Sequence, residues 1–266
     1  MKKALTLALV ALSPVVFAEP PPQKIQLPSQ SKLIDDVVVP VPSEIFGVLD
    51  KLGKPNWTAV QRPSKNVAGS IGDQPQNALL LGAVIAEGFI AVEAEDAAEV
   101  KQIGKSVLNL AKVLGVEKSV VKRSKSIIDS ADKEDWKTVR RELDGALEDV
   151  KKAMAELNSE PLSQLISLGG WLRGTEALTA VVQMKYSKDG AELLHQPLLL
   201  DHFEKRLAGL KPKFKSDPVV TKIQKGLLDI RPLIGLAEGG DISEKSVKEI
   251  NAITSDLIKS IHSKAQ

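Results

Sequence analysis

Two stretches of this chain are apolar on nearly every side, and they constrain its fold more than any other feature. Residues 77–93 contain Leu79, Leu80, Leu81, Ala83, Val84, Ile85 and Ala86 in a near-continuous run. Residues 162–184 repeat the character with Leu165, Ile166, Leu168, Leu172, Ala177, Leu178, Val181 and Val182. A helix with no polar face needs a shell of other elements around it. The first run, Leu79 to Ala86, is short against the roughly 20 apolar residues of a membrane span and is followed at once by Glu87. Both stretches are therefore expected at the centre of a larger helical body.

The rest of the chain supplies that shell. Residues 97–114 place Val100, Ile103, Val107, Leu110 and Leu114 at three- and four-residue spacing and stop at Gly115, the signature of an amphipathic helix. Residues 118–130 form a shorter basic helix. Residues 134–157 carry the stripe Trp136, Val139, Leu143, Leu147, Val150 and Met154. A helix over 191–210 is expected to kink at Pro197. Residues 219–236 follow Asp217-Pro218, and Ser243 caps a last helix whose face is Val247, Ile250, Ile253, Leu257 and Ile261. No segment sustains two-residue alternation. The expected fold is all-α: a bundle of about eight helices around two apolar, glycine-containing central helices, preceded by a Pro-rich extended segment.

The beginning of the sequence reads differently. Lys2 and Lys3 precede an apolar run broken by Pro14, and Val16-Phe17-Ala18 carries small residues where a cleavage site needs them. This is the pattern of a bacterial-type secretory signal cleaved after Ala18, so a periplasmic or secreted protein without a transmembrane segment is expected. Residues 19–42 hold Pro20, Pro21, Pro22, Pro28, Pro40 and Pro42 and read as an extended linker or strap, with Val37-Val38-Val39 able to lie on the body. Ser43 looks like a cap for a helix over 44–52, and 55–75 reads as loop. The single helical domain is expected over 43–266.

Charge and composition exclude several functions. Loss of Lys2 and Lys3 leaves 34 basic against 34 acidic residues, so no long-range field would steer the protein to nucleic acid. No cysteine is present, which removes disulfides, thiolate metal sites and cysteine nucleophiles. No serine-hydrolase elbow, zinc-protease helix, phosphate loop or dinucleotide fingerprint occurs. No cofactor is expected.

The two apolar stretches are also related to each other. Shifted by 86 positions, Pro75 falls on Pro161, Leu79 on Leu165, Gly88 on Gly174, Ala91 on Ala177 and Ala94 on Ala180. Trp57-x-x-Val60-x-Arg62 likewise resembles Trp136-x-x-Val139-x-Arg141. An internal duplication would place the central helices about a pseudo-twofold axis, with Glu87 opposite Arg173.

Four constellations could carry chemistry. The first is Leu168-Gly169-Gly170-Trp171-Leu172-Arg173-Gly174-Thr175-Glu176. Each helical glycine costs about 1 kcal/mol against alanine, so another backbone or a ligand is expected to come close. Glu87, Arg173 and Glu176 are expected to form a buried network. Two readings stay open: ions that satisfy one another at a helix crossing, or, with Trp171, the lining of an internal ligand pocket. The second is His195 and His202 beside Asp201. Seven residues separate the two histidines, against four in a helical zinc pair, so no metal site is expected, although these two come nearest to one. The third, Glu93, Glu95, Asp96 and Glu99, reads as helix capping rather than calcium binding. The fourth, Lys118, Lys122, Arg123 and Lys125, is followed by acidic residues and reads as a solvated face.

These features point to an exported helical protein that acts by binding or scaffolding, on a protein partner or an apolar small molecule, with a cavity expected near Arg173. The rival reading is a hydrolase or metal-dependent enzyme using Glu87, Arg173, Glu176 and a histidine.

Overall fold

In the computed structural model the described residues are 55–62, 72–234 and 240–263, together with the backbone of 32–34 and 37–39. The leader 1–18 and the expected helix over 44–52 lie outside the described residues. Within the Pro-rich segment, β1 (Lys32–Ile34) and β2 (Val37–Val39) pair antiparallel with Leu33 opposite Val38.

Everything else that is regular among the described residues is helical. The short α1 (Trp57–Val60) precedes α2 (Gln74–Glu93), α3 (Ala97–Val113), α4 (Glu117–Ala131), α5 (Trp136–Glu156) and α6 (Glu160–Met184). Then come α7 (Lys188–Glu192), α8 (Pro197–Ala208), α9 (Pro212–Lys215), α10 (Pro218–Ile234) and α11 (Glu244–His262). The protein is an all-α multi-helix bundle. The sequence reading needs one correction of boundary. Pro197 does not kink a helix: it opens α8, because its missing N–H costs nothing in a first turn, and the chain between α7 and α8 is not helical. The loop expected over 55–75 also contains α1 and the first residues of α2.

Side-chain caps start several helices. Asn56 accepts from the Ala59 amide, Asp96 from Glu99, Asp135 from Thr138 and Ser243 from Ser246. Trp57 and Trp136, each just after such a cap, pack on the core. The helix ends from α2 to α5 share one device. Glu95, Gly115, Glu134 and Asn158 take left-handed φ values of 55°, 77°, 55° and 53°, closing tight turns on backbone bonds such as Asp96 N to Ala91 O at 2.9 Å. Each turn reverses the chain. Four reversals bring α6 back parallel to α2.

These two helices form the most extensive contact in the molecule. Leu79, Leu80, Phe89 and Ile90 of α2 are fully buried, as are Ile166, Leu172 and Ala177 of α6. Around them α3, α4 and α5 complete a four-helix group with α2, and α8, α10 and α11 gather on the side of α6. Helices α5 and α11 each touch both central helices. That arrangement has the form the internal match predicts, and Glu87 does face Arg173. The correspondence stops at the next helix. α3 lies closely along α2, whereas the shorter α8 meets α6 over a much smaller area and leans on α10 instead. The tryptophan motif does not correspond either, since Trp57 starts one turn of helix and Trp136 starts 21 residues of it.

At 20 residues, α2 is long and apolar enough to cross a membrane, contrary to the sequence expectation, and all of that apolar window is buried inside the protein.

Glycine is required at two positions of the central crossing. A Cβ at Gly82 would lie 1.8 Å from the Ile166 carbonyl oxygen, and one at Gly169 would lie 2.0 Å from that of Leu79. Gly174 is different: a Cβ there meets nothing within 4 Å among the described residues. The expectation of close approach at all three α6 glycines is therefore corrected for Gly174. Gly82→Ala and Gly169→Ala should each destabilise by about 1–3 kcal/mol or more in urea unfolding. Gly174→Ala should be neutral or stabilise by up to about 1 kcal/mol, since it removes backbone freedom without a clash.

Candidate functional site

Arg173 is among the largest fully buried side chains of the protein. It projects from α6 toward α2, where its Nε donates to Glu87 Oε2 at 2.7 Å. Its Nη2 donates to the Val60 carbonyl at 2.6 Å and approaches the same Glu87 oxygen at 2.7 Å. Its Nη1 stands 3.4 Å from Glu176 Oε2, one turn on. Segment 60–62 then closes the group from outside. The Arg62 amide donates to Glu87 Oε1 at 2.7 Å, and the Arg62 guanidinium pairs with Glu176, its Nε at 2.8 Å from Oε1. Ser255 of α11 donates to that same oxygen at 2.5 Å and accepts from Arg62 Nη2 at 3.0 Å. Asn251 holds α11 in place through the Glu176 carbonyl and the Thr179 hydroxyl.

Two guanidinium cations thus face two carboxylates, and the group is neutral. Burial pushes the Glu87 carboxyl above its ordinary pKa, while the Arg173 charge and the Arg62 amide pull the other way. The expected network of Glu87, Arg173 and Glu176 is present. Arg62 and Ser255 belong to it as well and were missed as members. Arg62 stood in the sequence only as part of a tryptophan motif, and nothing local marks Ser255 as facing a carboxylate 79 positions away.

The remaining candidates do not join this group. Trp171 points the other way, with its ring centroid 5.5 Å from that of Phe203 on α8 and its Nε1 donating to Gln196 at 2.9 Å. His202 is buried against α6, its Nε2 3.3 Å from Gln164 Oε1. Gln164 donates its own amide to Glu160 at 2.8 Å. Its oxygen must then accept, so His202 carries its proton on Nε2. Asp201, which sequence placed beside the histidines, pairs with Arg231 at 2.5 Å. His195 is bonded to neither. Among the described residues no group of three His, Asp or Glu could hold a metal ion. Glu93 pairs with Arg140 at 2.8 Å and Asp96 serves as a cap. Arg123 binds Asp149 and Glu142 at 2.8 and 3.1 Å.

A cavity among the described residues lies elsewhere. A cavity of about 410 Å³ lies between the first turns of α6 and the second half of α8. Pro161, Leu165 and Leu168 form one wall, and Phe203, Leu207 and Leu210 the other. Glu160, Gln164, Lys205 and Arg206 supply its polar lining. The cavity occupies the place where α8 fails to pack on α6 as α3 packs on α2. Around Arg173 the described side chains within reach are its ion partners.

Two measurements probe this description. Arg173→Met should cost about 3–5 kcal/mol in chemical denaturation, because it leaves buried carboxylates uncompensated. Adding Glu87→Gln should recover part of the loss, and a fully stable Arg173→Met protein would contradict a structural role. For His202, burial and the nearby Lys205 and Lys151 charges hold the pKa below its ordinary value. The unfolded chain then binds more protons as pH falls. The contribution of His202 is intact above about pH 6.5 and is lost as pH drops through the lower folded value. The stability difference between wild type and His202→Gln should shrink over that window; a constant difference would contradict it. Comparison with protein-family models, with characterised proteins and with solved structures finds no match for this chain.

Proposed function

We propose that this chain is an exported, non-enzymatic helical binding protein: a rigid body that carries an apolar small-molecule site between α6 and α8. The observation behind this reading is the cavity of about 410 Å³, walled by Leu165, Leu168, Phe203 and Leu207. Its size falls within the range of small-molecule sites, and an apolar wall with a few polar groups at its edge is their usual composition. Export rests on the first eighteen residues, with their Lys2-Lys3 start and Val16-Phe17-Ala18 end.

The Arg173 group supports scaffolding over catalysis. Both Glu87 oxygens and Glu176 Oε1 accept hydrogen bonds, and Glu176 Oε2, with no hydrogen bond among the described residues, stands 3.4 Å from the Arg173 guanidinium. Ser255 gives its proton to a carboxylate already held by Arg62. A hydrolase at this position would need an open cleft and a histidine bonded to one of these groups.

Native mass spectrometry of the purified protein should find a co-purified apolar molecule, or uptake of an added one, that Leu168→Trp prevents by filling the cavity. The intact mass of the same sample reads cleavage after Ala18. A protein that arrives empty and takes up no apolar probe would overturn the reading.

A further inference from the structure

Resting on the binding reading above, the structure assigns the α6–α8 cavity to a single-chain amphiphile with an anionic head, the apolar tail lying between the two helices and the head at Lys205 and Arg206. Three observations carry the assignment.

The first is the shape and chemistry of the walls. Pro161, Leu165 and Leu168 are spaced four and three apart on α6, so they line one face of that helix. Phe203, Leu207 and Leu210 repeat the spacing four and three on the opposing segment. The two rows line a partly open apolar cavity of about 410 Å³, room enough for an alkyl chain. The lining exposes no row of hydrogen-bonding groups that a polar ligand, such as a sugar or nucleotide, would require.

The second is the state of the polar groups beside the cavity. Trp171 and Phe203 stand together at 5.5 Å, and the Trp171 Nε1 is already bonded to Gln196. Gln164 is committed to Glu160 and His202. Gln164, the one of these polar groups that lines the cavity, is therefore already bonded, and Phe203 beside it presents an apolar wall.

The third is charge. Of the ionisable groups lining the cavity, two are cationic, Lys205 and Arg206, and one is anionic, Glu160. Glu160 accepts from Gln164. Lys205 is exposed, and burial and the same lysine lower the pKa of the neighbouring His202. A carboxylate or similar head is favoured at such a rim and a cationic head is opposed.

The test uses three probes with the same alkyl chain: laurate, dodecanol and dodecyltrimethylammonium, each below its micelle concentration. Binding to the full mature protein is followed by titration calorimetry and by tryptophan fluorescence, for which Trp171 beside Phe203 is the reporter. Laurate should bind on the order of tenfold tighter than dodecanol, and dodecanol tighter than the cationic probe. Lys205→Gln, at an exposed position, should keep the fold and weaken laurate alone, and adding Arg206→Gln, with its folding checked by circular dichroism, should bring laurate to the level of dodecanol. Leu168→Trp should remove all three. Equal affinity for laurate and dodecanol, or a preference unmoved by the glutamine substitutions, overturns the anionic-head assignment while leaving an apolar site in place. Binding that survives Leu168→Trp in a folded variant overturns the location. Failure of every probe to bind the unliganded protein instead overturns the binding reading itself.

Discussion

Gly82 and Gly169 let two backbones meet, and that approach sets the distance at which Arg173 reaches Glu87. A methyl group at either glycine would fall about 2 Å from a carbonyl oxygen of the other helix. With both helices apolar on nearly all faces, they can only lie side by side inside a shell, and the glycines decide how closely. The buried ion group then follows. Arg173 and Glu87 project into the narrow space beyond the crossing, where neither could stay charged alone. Each is met by the other and by segment 60–62, and Glu176 is met by Arg62 and Ser255. Five parts of the chain, α2, α6, α11, Val60 and Arg62, are thereby fixed relative to one another by one neutral cluster. Such a cluster adds less to stability than apolar packing of the same volume would, but removal of Arg173 leaves the buried Glu87 carboxylate without its cation.

The two halves around this crossing are alike only in part, and the difference gives the molecule its cavity. In the first half the 17-residue α3 covers α2. In the second, Pro197 starts a helix of only 12 residues, displaced after the short α7. α8 then packs on α10, held there by Arg231 between Asp201 and Glu204, and against β2, and the first turns of α6 are left with an open apolar flank. A tightly packed central pair beside a loosely covered face is a sound basis for a binding protein: the slot can fill or empty without disturbing the crossing.

Much of the fold was legible because the strongest signals were local. The all-round apolar character of residues 77–93 and 162–184 placed them at the centre, and Asp96 and Ser243 marked helix starts by their own capping chemistry. The ion group was legible in its three core members, since buried charges must find partners and the 86-residue match set Glu87 against Arg173. What escaped was non-local or atypical. Glu95, Glu134 and Asn158 close helices in the left-handed region without being glycine, a strain the surrounding turn bonds compensate. Ser255 and Arg62 join the network from distant segments, and no periodicity reports that. Trp171 shares a helix with Arg173 but faces α8, so their proximity in sequence suggested one site where there are two separate faces.

Amide hydrogen exchange at the centre of α2 and α6 tests the central claim most directly. If the glycine crossing and the ion cluster form one rigid unit, amides from Leu81 to Phe89 and from Leu168 to Ala177 should exchange only through global unfolding, at a single free energy equal to that from denaturant. Amides of α8 should exchange faster, through local opening over the cavity. Fast exchange around Glu87 and Arg173 at a free energy well below the global value would contradict the account, because it would make the centre the mobile part of the molecule and the ion cluster an opening site.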